Sequence, residues 1–180
     1  MTDFFETLRQ RRSIRKYEDR DVPDDLVRQV LEAVKWSPSW ANTQCWEVVA
    51  VRDAATKKDL QETILPKNPA TRAITAAPVL LVLCGRLGTS GYYNGQVTTK
   101  FGDWCLFDLG IATQSLCLAA RALGLGSVIV GLFDQDKAGA LLGVPAGVET
   151  VAMIPLGYPA KSPEAPKRRE VEEFFHLEKY

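Results

Sequence analysis

The sequence of 180 residues contains a single histidine, His176, and its four cysteines form no CxxC pair. Those cysteines are Cys45, Cys84, Cys105 and Cys117. Zinc sites need clustered thiolates or imidazoles, and hydrolytic triads and dyads need a positioned histidine. The sequence therefore predicts neither a metal site nor a catalytic side chain that acts as a nucleophile.

Net charge is also lacking, because 22 basic residues balance 22 acidic ones. This balance argues against nucleic acid or an anionic membrane as the partner. The most apolar stretch, Trp104–Leu125, carries Asp108, Gln114 and Arg121, which would be costly in lipid, so we expect a buried helix there. Met1–Arg12 has no apolar run of the secretory type, and the unpaired cysteines suit a reducing compartment. These features predict a cytoplasmic protein.

The chain is 46% hydrophobic and 24% charged, which is typical of one folded domain spanning residues 1–180. Apolar periodicity predicts an order of α, α, β, α, α, β, loop, α, β, α, β and a C-terminal arm. This order predicts a mixed α+β layer fold with a modest central sheet instead of a regular βαβ winding. The predicted strands are Trp46–Arg52, Pro78–Cys84, Ser127–Val130 and Thr150–Leu156.

The arm, residues 159–180, carries an apolar group after the compact fold should be complete. Its members are Val171, Phe174, Phe175 and Leu177. Because such side chains need a surface to bury against, the sequence predicts that the arm packs on a partner subunit.

Eight of the 22 basic residues fall into two short clusters near the two ends of the chain. They are Arg9, Arg11, Arg12, Arg15 and Lys16 in the first cluster, and Lys167, Arg168 and Arg169 in the second. The clusters are compatible with a solvated charged face, with a nucleic-acid or targeting tag, or with one anion site built from both ends. Ser13 adds a hydroxyl to the first cluster, and the planar fork of arginine suits phosphate.

Two loops are rich in polar and aromatic side chains. Trp36–Gln44 is dense in hydrogen-bonding groups that suit the imide-like edge of a flat ligand, although a capped turn with packing tryptophans fits equally well. Gly85–Gly102 is glycine-rich and aromatic, which fits either a lid over a site or a poorly ordered loop.

Four motifs together resemble the FMN-dependent nitroreductase family. They are RRSIRKY (Arg11–Tyr17), SPSWANTQCW (Ser37–Trp46), GLGSVIVGLFD (Gly124–Asp134) and the late PLGYP followed by KRR. The resemblance covers essentially the whole chain in order. It implies an α+β nitroreductase-like fold with a central mixed β-sheet flanked by helices, a long buried central helix and a C-terminal arm. It further implies a homodimer with FMN at each of two sites in the interface.

The resemblance also implies roles for residues at both ends of the chain. Arg11, Arg12 and Ser13 are predicted to hold the phosphate and ribityl chain of FMN. Arg15 is predicted to lie near the pyrimidine edge of the flavin. Lys167 and Arg169 are predicted to close on the phosphate from the other end of the chain. Gly131 matches the glycine whose backbone N–H reaches the redox-active ring nitrogen. Val130 precedes it where many members have an acidic residue, so a side-chain role is lost there.

The central loop, residues 37–44, matches the family segment that lies against the isoalloxazine ring from the partner chain. Its predicted cofactor-binding residues are Pro38, Ser39 and Trp40, supported by Asn42 and Gln44. Trp40, Tyr92 and Tyr93 are the predicted walls of the substrate pocket. Lys67 and Asn68 are candidates for further contacts with the ring.

The implied activity is hydride transfer from NADH or NADPH through FMN to a nitroaromatic, quinone or similar small acceptor, one substrate at a time. Because FMN carries the electrons, no catalytic histidine is needed. Specialised flavin chemistry, such as reductive dehalogenation or flavin fragmentation, and a flavin-binding protein without turnover remain alternatives. A nucleic-acid-binding module fits poorly with zero net charge.

Overall fold

A four-stranded sheet forms the centre of the protein, and the computed structural model describes residues 3–180. In those residues the strands are β1 (Trp46–Val51), β2 (Val79–Arg86), β3 (Tyr92–Tyr93), β4 (Gln96–Val97), β5 (Gly126–Ser127) and β6 (Val148–Gly157). The sheet order is β1-β2-β6-β5, with antiparallel neighbours throughout. A parallel bridge between Ser13 and Ser127 makes the sheet mixed.

The helices of the described residues cover both faces of this sheet. They are α1 (Phe4–Gln10), α2 (Asp24–Lys35), α3 (Ala54–Gln61), α4 (Thr71–Ala76), α5 (Cys105–Ala122) and α6 (Gln135–Leu142), with short 3-10 helices at Trp40–Asn42 and Val171–Glu173. The side chains of Asp3, Asp53 and Asp134 cap α1, α3 and α6 by accepting a backbone N–H in the first turn. These elements confirm the predicted α+β fold and its element order.

Strand β2 is buried on both faces because its sequence is an unbroken apolar run. Successive side chains of a strand point to opposite faces, so Leu81 and Leu83 pack with α2 and α5. Leu80 and Val82 pack on the other face with α3, α4 and α6. The sheet is therefore covered by helices on both sides.

Helix α5 is the long central helix that the sequence predicts, with one face buried against the sheet. Leu109, Leu116 and Ala120 lie in that buried face. In the single chain the opposite face is exposed and apolar, and Leu106 and Phe107 are 66% and 58% exposed. No helix within residues 3–180 combines the length and the apolar character that crossing a membrane requires.

Strand β5 is shorter than the predicted Ser127–Val130, and Val130 instead forms an isolated bridge with Met153. Pro155 on β6 accounts for the interruption. A proline has no N–H to donate, and the carbonyl oxygen of Pro155 accepts a hydrogen bond from the Tyr17 hydroxyl at 3.0 Å.

The segment 85–102, for which the sequence predicts a lid or a poorly ordered loop, contains the β3–β4 hairpin. The backbone N–H of Thr98 donates to the Gly91 carbonyl, and that of Trp104 donates to the Ser90 carbonyl. Residues 161–180 of the arm are all exposed in the single chain, and the four apolar side chains of its end, Val171, Phe174, Phe175 and Leu177, are each more than half exposed.

Candidate functional site

The first basic cluster begins with Arg9 in the last turn of α1, and the residues after α1 lie beside β5. The N–H of Ile14 donates to the Ser127 carbonyl at 2.9 Å, and Ser13 forms the parallel bridge with Ser127. Gly126 permits this close approach, because a Cβ there would lie 2.6 Å from the side chain of Ile14. The fold thus places the predicted phosphate-binding segment against the edge of the sheet.

A small cavity lies between this segment and the end of α5. Its volume is about 30 Å³, room for little more than one water molecule in the single chain. The lining residues include Arg11, Arg12, Cys117, Arg121, Ser127 and Ser162. Two of the predicted FMN-binding residues, Arg11 and Arg12, therefore share this cavity with Arg121 from the last turn of α5. Because of these three arginines, we call it the basic cavity.

The side chains around this cavity differ in what they bind. Arg12 donates to the carbonyl oxygens of Arg9 and Arg11, so its guanidinium satisfies the C-terminal end of α1. Arg121 donates to the side-chain oxygen of Gln10. Burial raises the pKa of the Cys117 thiol, although the Ser127 hydroxyl and the charge of Arg11 act in the opposite direction. Cys117 therefore stays a neutral thiol.

Ser13 and Arg15, the other two predicted FMN-binding residues of this segment, line a neighbouring depression. Ser13 and Arg15 line a space of about 160 Å³ together with Lys16, Lys161 and Pro163. The start of the arm reaches this place because the N–H of Ala160 donates to the Lys16 carbonyl at 3.1 Å. The segment after α1 and the start of the arm thus meet here.

Lys167 and Arg169 lie elsewhere in the single chain. Both are exposed and line neither of these two spaces. Arg169 donates to the Glu173 carbonyl, and its guanidinium lies 5.6 Å from the centre of the Phe174 ring. Their closure on a phosphate stays a prediction.

The central loop, residues 37–44, has a strained backbone. Ala41, Asn42 and Gln44 adopt left-handed φ angles of 43°, 56° and 50°. Such conformations cost non-glycine residues about 1–3 kcal/mol each, so the surrounding structure must hold the loop in place. Predicted flavin-contacting residues Pro38, Ser39 and Trp40 lie in the same loop.

Hydrogen bonds to side chains hold this loop. The Ser37 hydroxyl donates to Ser115 on α5 at 2.8 Å, and the Gln44 N–H donates to the Ser39 hydroxyl at 2.9 Å. The N–H of Trp40 donates to both oxygens of Asp108, at 3.1 and 3.2 Å. Sequence reasoning missed Asp108 as a site residue, although a carboxylate inside an apolar helix was the signal.

Aromatic rings extend from the loop towards the start of α5. The rings of Trp40 and Trp104 are 5.9 Å apart between centres, and those of Trp104 and Phe107 are 5.0 Å apart. Tyr92 is half-buried in the hairpin, whereas Tyr93 is largely exposed. Of the predicted pocket residues, Trp40 is thus part of an aromatic cluster with members that sequence reasoning missed.

Val130 and Gly131 differ sharply in exposure. The Val130 side chain lies in the core, whereas Gly131 is exposed and a Cβ added there would meet no atom within 4 Å. The bridge between Ile64 and Phe133 brings residues 62–68 beside this segment. Asn68 accepts the N–H of Ala70 with its side chain, while Lys67 has a left-handed φ of 68°.

The residues after α1 that line the two spaces and the residues of the central loop therefore form two groups at opposite ends of α5, and Lys167 and Arg169 belong to neither group. Asp108, which holds the central loop, lies in the first turn, and Arg121 beside the basic cavity lies in the last. The helix has 18 residues, so it is about 27 Å long. No cavity described above is lined by residues of both groups within residues 3–180.

A sequence model of the nitroreductase family matches residues 8–74 and 67–158, which span most of the chain. The chain belongs to the nitroreductase family. The predicted resemblance to this family is thereby confirmed.

Relatives of this nitroreductase-family chain carry names from flavin and nicotinamide chemistry. It is 34% identical over 178 residues to a protein named NADH dehydrogenase from Thermus thermophilus, covering 84% of each chain. It is 29% identical over 191 residues to FMN reductase (NAD(P)H) from Bacillus subtilis, covering 100% of this chain and 75% of the relative. A solved nitroreductase family protein from Clostridium novyi NT has a TM-score of 0.78 at 26% identity, covering 88% of this chain and 86% of that one.

Proposed function

We propose that this chain is an NAD(P)H-dependent flavin oxidoreductase that works as an FMN-binding homodimer. Its reaction passes a hydride from NADH or NADPH through FMN to a nitroaromatic, quinone or similar small acceptor. Family membership and the names of the two relatives support the flavin and nicotinamide parts. One observation carries the proposal: the basic cavity and the central loop lie at the two ends of α5, and the exposed face of this helix is apolar. We call the basic cavity and the central loop the two half-sites.

In charge and in donor type, the residues around the basic cavity suit the phosphate of FMN, which is larger than the cavity of the single chain. Arg11 and Arg121 bring two permanent positive charges, and Ser127 and Ser162 bring hydroxyl groups. No acidic residue lines this cavity in the described part of the chain. Guanidinium groups bind phosphate with paired, charge-assisted hydrogen bonds, so this donor set suits a dianionic phosphate ester.

Pairing of two chains through α5 supports a complete site. The exposed face of α5 presents Leu106, Phe107, Ile111 and Leu118, and with Phe4 it borders an open groove of about 700 Å³. If a two-fold axis pairs this face with its copy, the two α5 helices run antiparallel. The first turn of one helix then lies beside the last turn of the other. The central loop of one chain then reaches the basic cavity of its partner.

Each group of residues has a distinct task in the proposed reaction. When bound, FMN supplies reversible hydride chemistry that no side chain of this protein provides. Arg15 would place positive charge at the pyrimidine edge of bound FMN and so stabilise negative charge there. The exposed backbone of Gly131 leaves room for its N–H to approach the flavin, and the Trp40 loop would exclude water from it.

Colour is the test of the proposal. Purified protein supplied with FMN and freed of excess by gel filtration should stay yellow, and anaerobic NADH or NADPH should bleach it. Addition of a quinone or nitroaromatic should restore the colour. Colourless protein would contradict FMN binding, and yellow protein that neither nucleotide bleaches would instead indicate a flavin-binding protein without turnover.

A further inference from the structure

Asp108 is a buried carboxylate that hydrogen bonds alone satisfy. Its residue is 1% exposed, and within residues 3–180 it has no ion-pair partner. It accepts hydrogen bonds from the backbone N–H of Trp40, from the Ser90 hydroxyl at 2.6 Å and from the buried Cys45 thiol at 3.8 Å. A buried carboxylate is stable only where donors converge on it, so these three donors are built into the fold.

The hydroxyl groups around Asp108 form a directed chain. The Ser90 hydroxyl lies 2.6 Å from Asp108 and 2.6 Å from the Thr43 hydroxyl. The Ser90 hydroxyl donates its one proton to Asp108, so the Thr43 hydroxyl is the donor in the contact between Thr43 and Ser90. The carboxylate therefore holds the central loop at two points, Trp40 directly and Thr43 through Ser90.

The same carboxylate also holds the start of the hairpin. Ser90 is fully buried, its carbonyl accepts the N–H of Trp104, and Tyr92 begins β3 two residues later. The central loop contains the strained left-handed residues, which need outside support. One buried group thus joins the two surfaces that the sequence predicts to face the flavin ring and the acceptor.

We propose that Asp108 is a positioning residue that fixes the central loop relative to the β3–β4 hairpin and thereby shapes the acceptor pocket. The proposal rests on the proposed function for the meaning of the pocket. Its structural part, the fixing of Trp40 and Thr43, is independent of any flavin. Two readouts therefore separate the two hypotheses.

The decisive variant is Asp108→Asn, which keeps the size of the side chain. It replaces one accepting oxygen by an NH2 group, which cannot accept the hydrogen bonds that Trp40 and Ser90 donate. In protein without added flavin, we expect amide hydrogen exchange at Trp40 to accelerate at least tenfold relative to the Met153 amide of the core. In FMN-saturated enzyme, we expect KM for the acceptor to rise at least fivefold. The rate of anaerobic reduction by the nicotinamide should change less than twofold.

Thr43→Val and Asp136→Asn complete the experiment. Thr43→Val removes one hydroxyl from the chain while leaving the carboxylate in place, and we expect a two- to tenfold acceleration at the Trp40 amide. Asp136 is exposed in the first turn of α6, so Asp136→Asn should change neither readout.

Unchanged Trp40 exchange in Asp108→Asn, or in Thr43→Val if the former does not fold, would overturn the proposal. An accelerated Trp40 amide with unchanged acceptor KM would overturn the role in the pocket, whereas a wild type without flavin binding would contradict only the proposed function.

Discussion

At the scale of single residues, the arginines of the first cluster have different partners although they are close in sequence. Arg11 and Arg12 both line the basic cavity, but the Arg12 guanidinium donates to the carbonyl oxygens of Arg9 and Arg11, whereas Arg15 donates to the Ser13 carbonyl. The cluster itself is readable from sequence because its members are adjacent. Arg121 and Asp108 are not, because only the folded α5 brings each of them to a distant segment.

If Arg11 binds the phosphate as proposed, Arg11→Ala should weaken FMN binding, because it would remove a charge-assisted pair of hydrogen bonds. We expect a loss of about 1.5–3 kcal/mol in binding free energy, measured by fluorescence titration of FMN. Arg28→Ala on the exposed face of α2 is the matched control and should bind FMN like the wild type.

Arg169→Ala extends this experiment to the other end of the chain. A loss of similar size would support the prediction that Lys167 and Arg169 close on the phosphate in the dimer. If neither Arg11→Ala nor Arg169→Ala changes the affinity for FMN, the anion site built from both chain ends is wrong.

At the scale of elements, the sequence predicted most helices and the strands β1, β2 and β6 to within a few residues. Apolar periodicity and unbroken apolar runs carry that information locally. The shortening of β5 depends on Pro155 in a neighbouring strand, so the residues of β5 itself do not reveal it. The two-residue strands of the hairpin are too short to show a period.

Tyr17 ties the basic segment to β6, and its removal tests that connection. Its hydroxyl contacts the carbonyl oxygens of Ile14 at 2.7 Å and Pro155 at 3.0 Å. Tyr17→Phe leaves these acceptors without the hydroxyl, so we expect a loss of about 1–3 kcal/mol in the free energy of unfolding. Urea denaturation measures this loss, and Tyr93→Phe at an exposed position is the control.

The same tyrosine gives the protein a predicted pH dependence. Burial raises the pKa of Tyr17 above its usual value. Because the unfolded chain then loses this proton first, the stability should be full below about pH 10 and decline above it. Tyr17→Phe should show a smaller decline in alkaline solution. An identical decline in both proteins would mean that Tyr17 is not the group responsible.

At the scale of the whole molecule, the exposed apolar face of α5 lies between the two half-sites, so assembly and cofactor binding should depend on each other. Leu106→Glu changes a side chain that is 66% exposed in the single chain, so the variant should fold. In a dimer it would bury an unpaired charge, which costs several kcal/mol. Sedimentation at micromolar concentration should show a dimer for wild type and for Leu141→Glu on α6, and a monomer without bound FMN for Leu106→Glu. A monomer that retains FMN would contradict a site built from two chains.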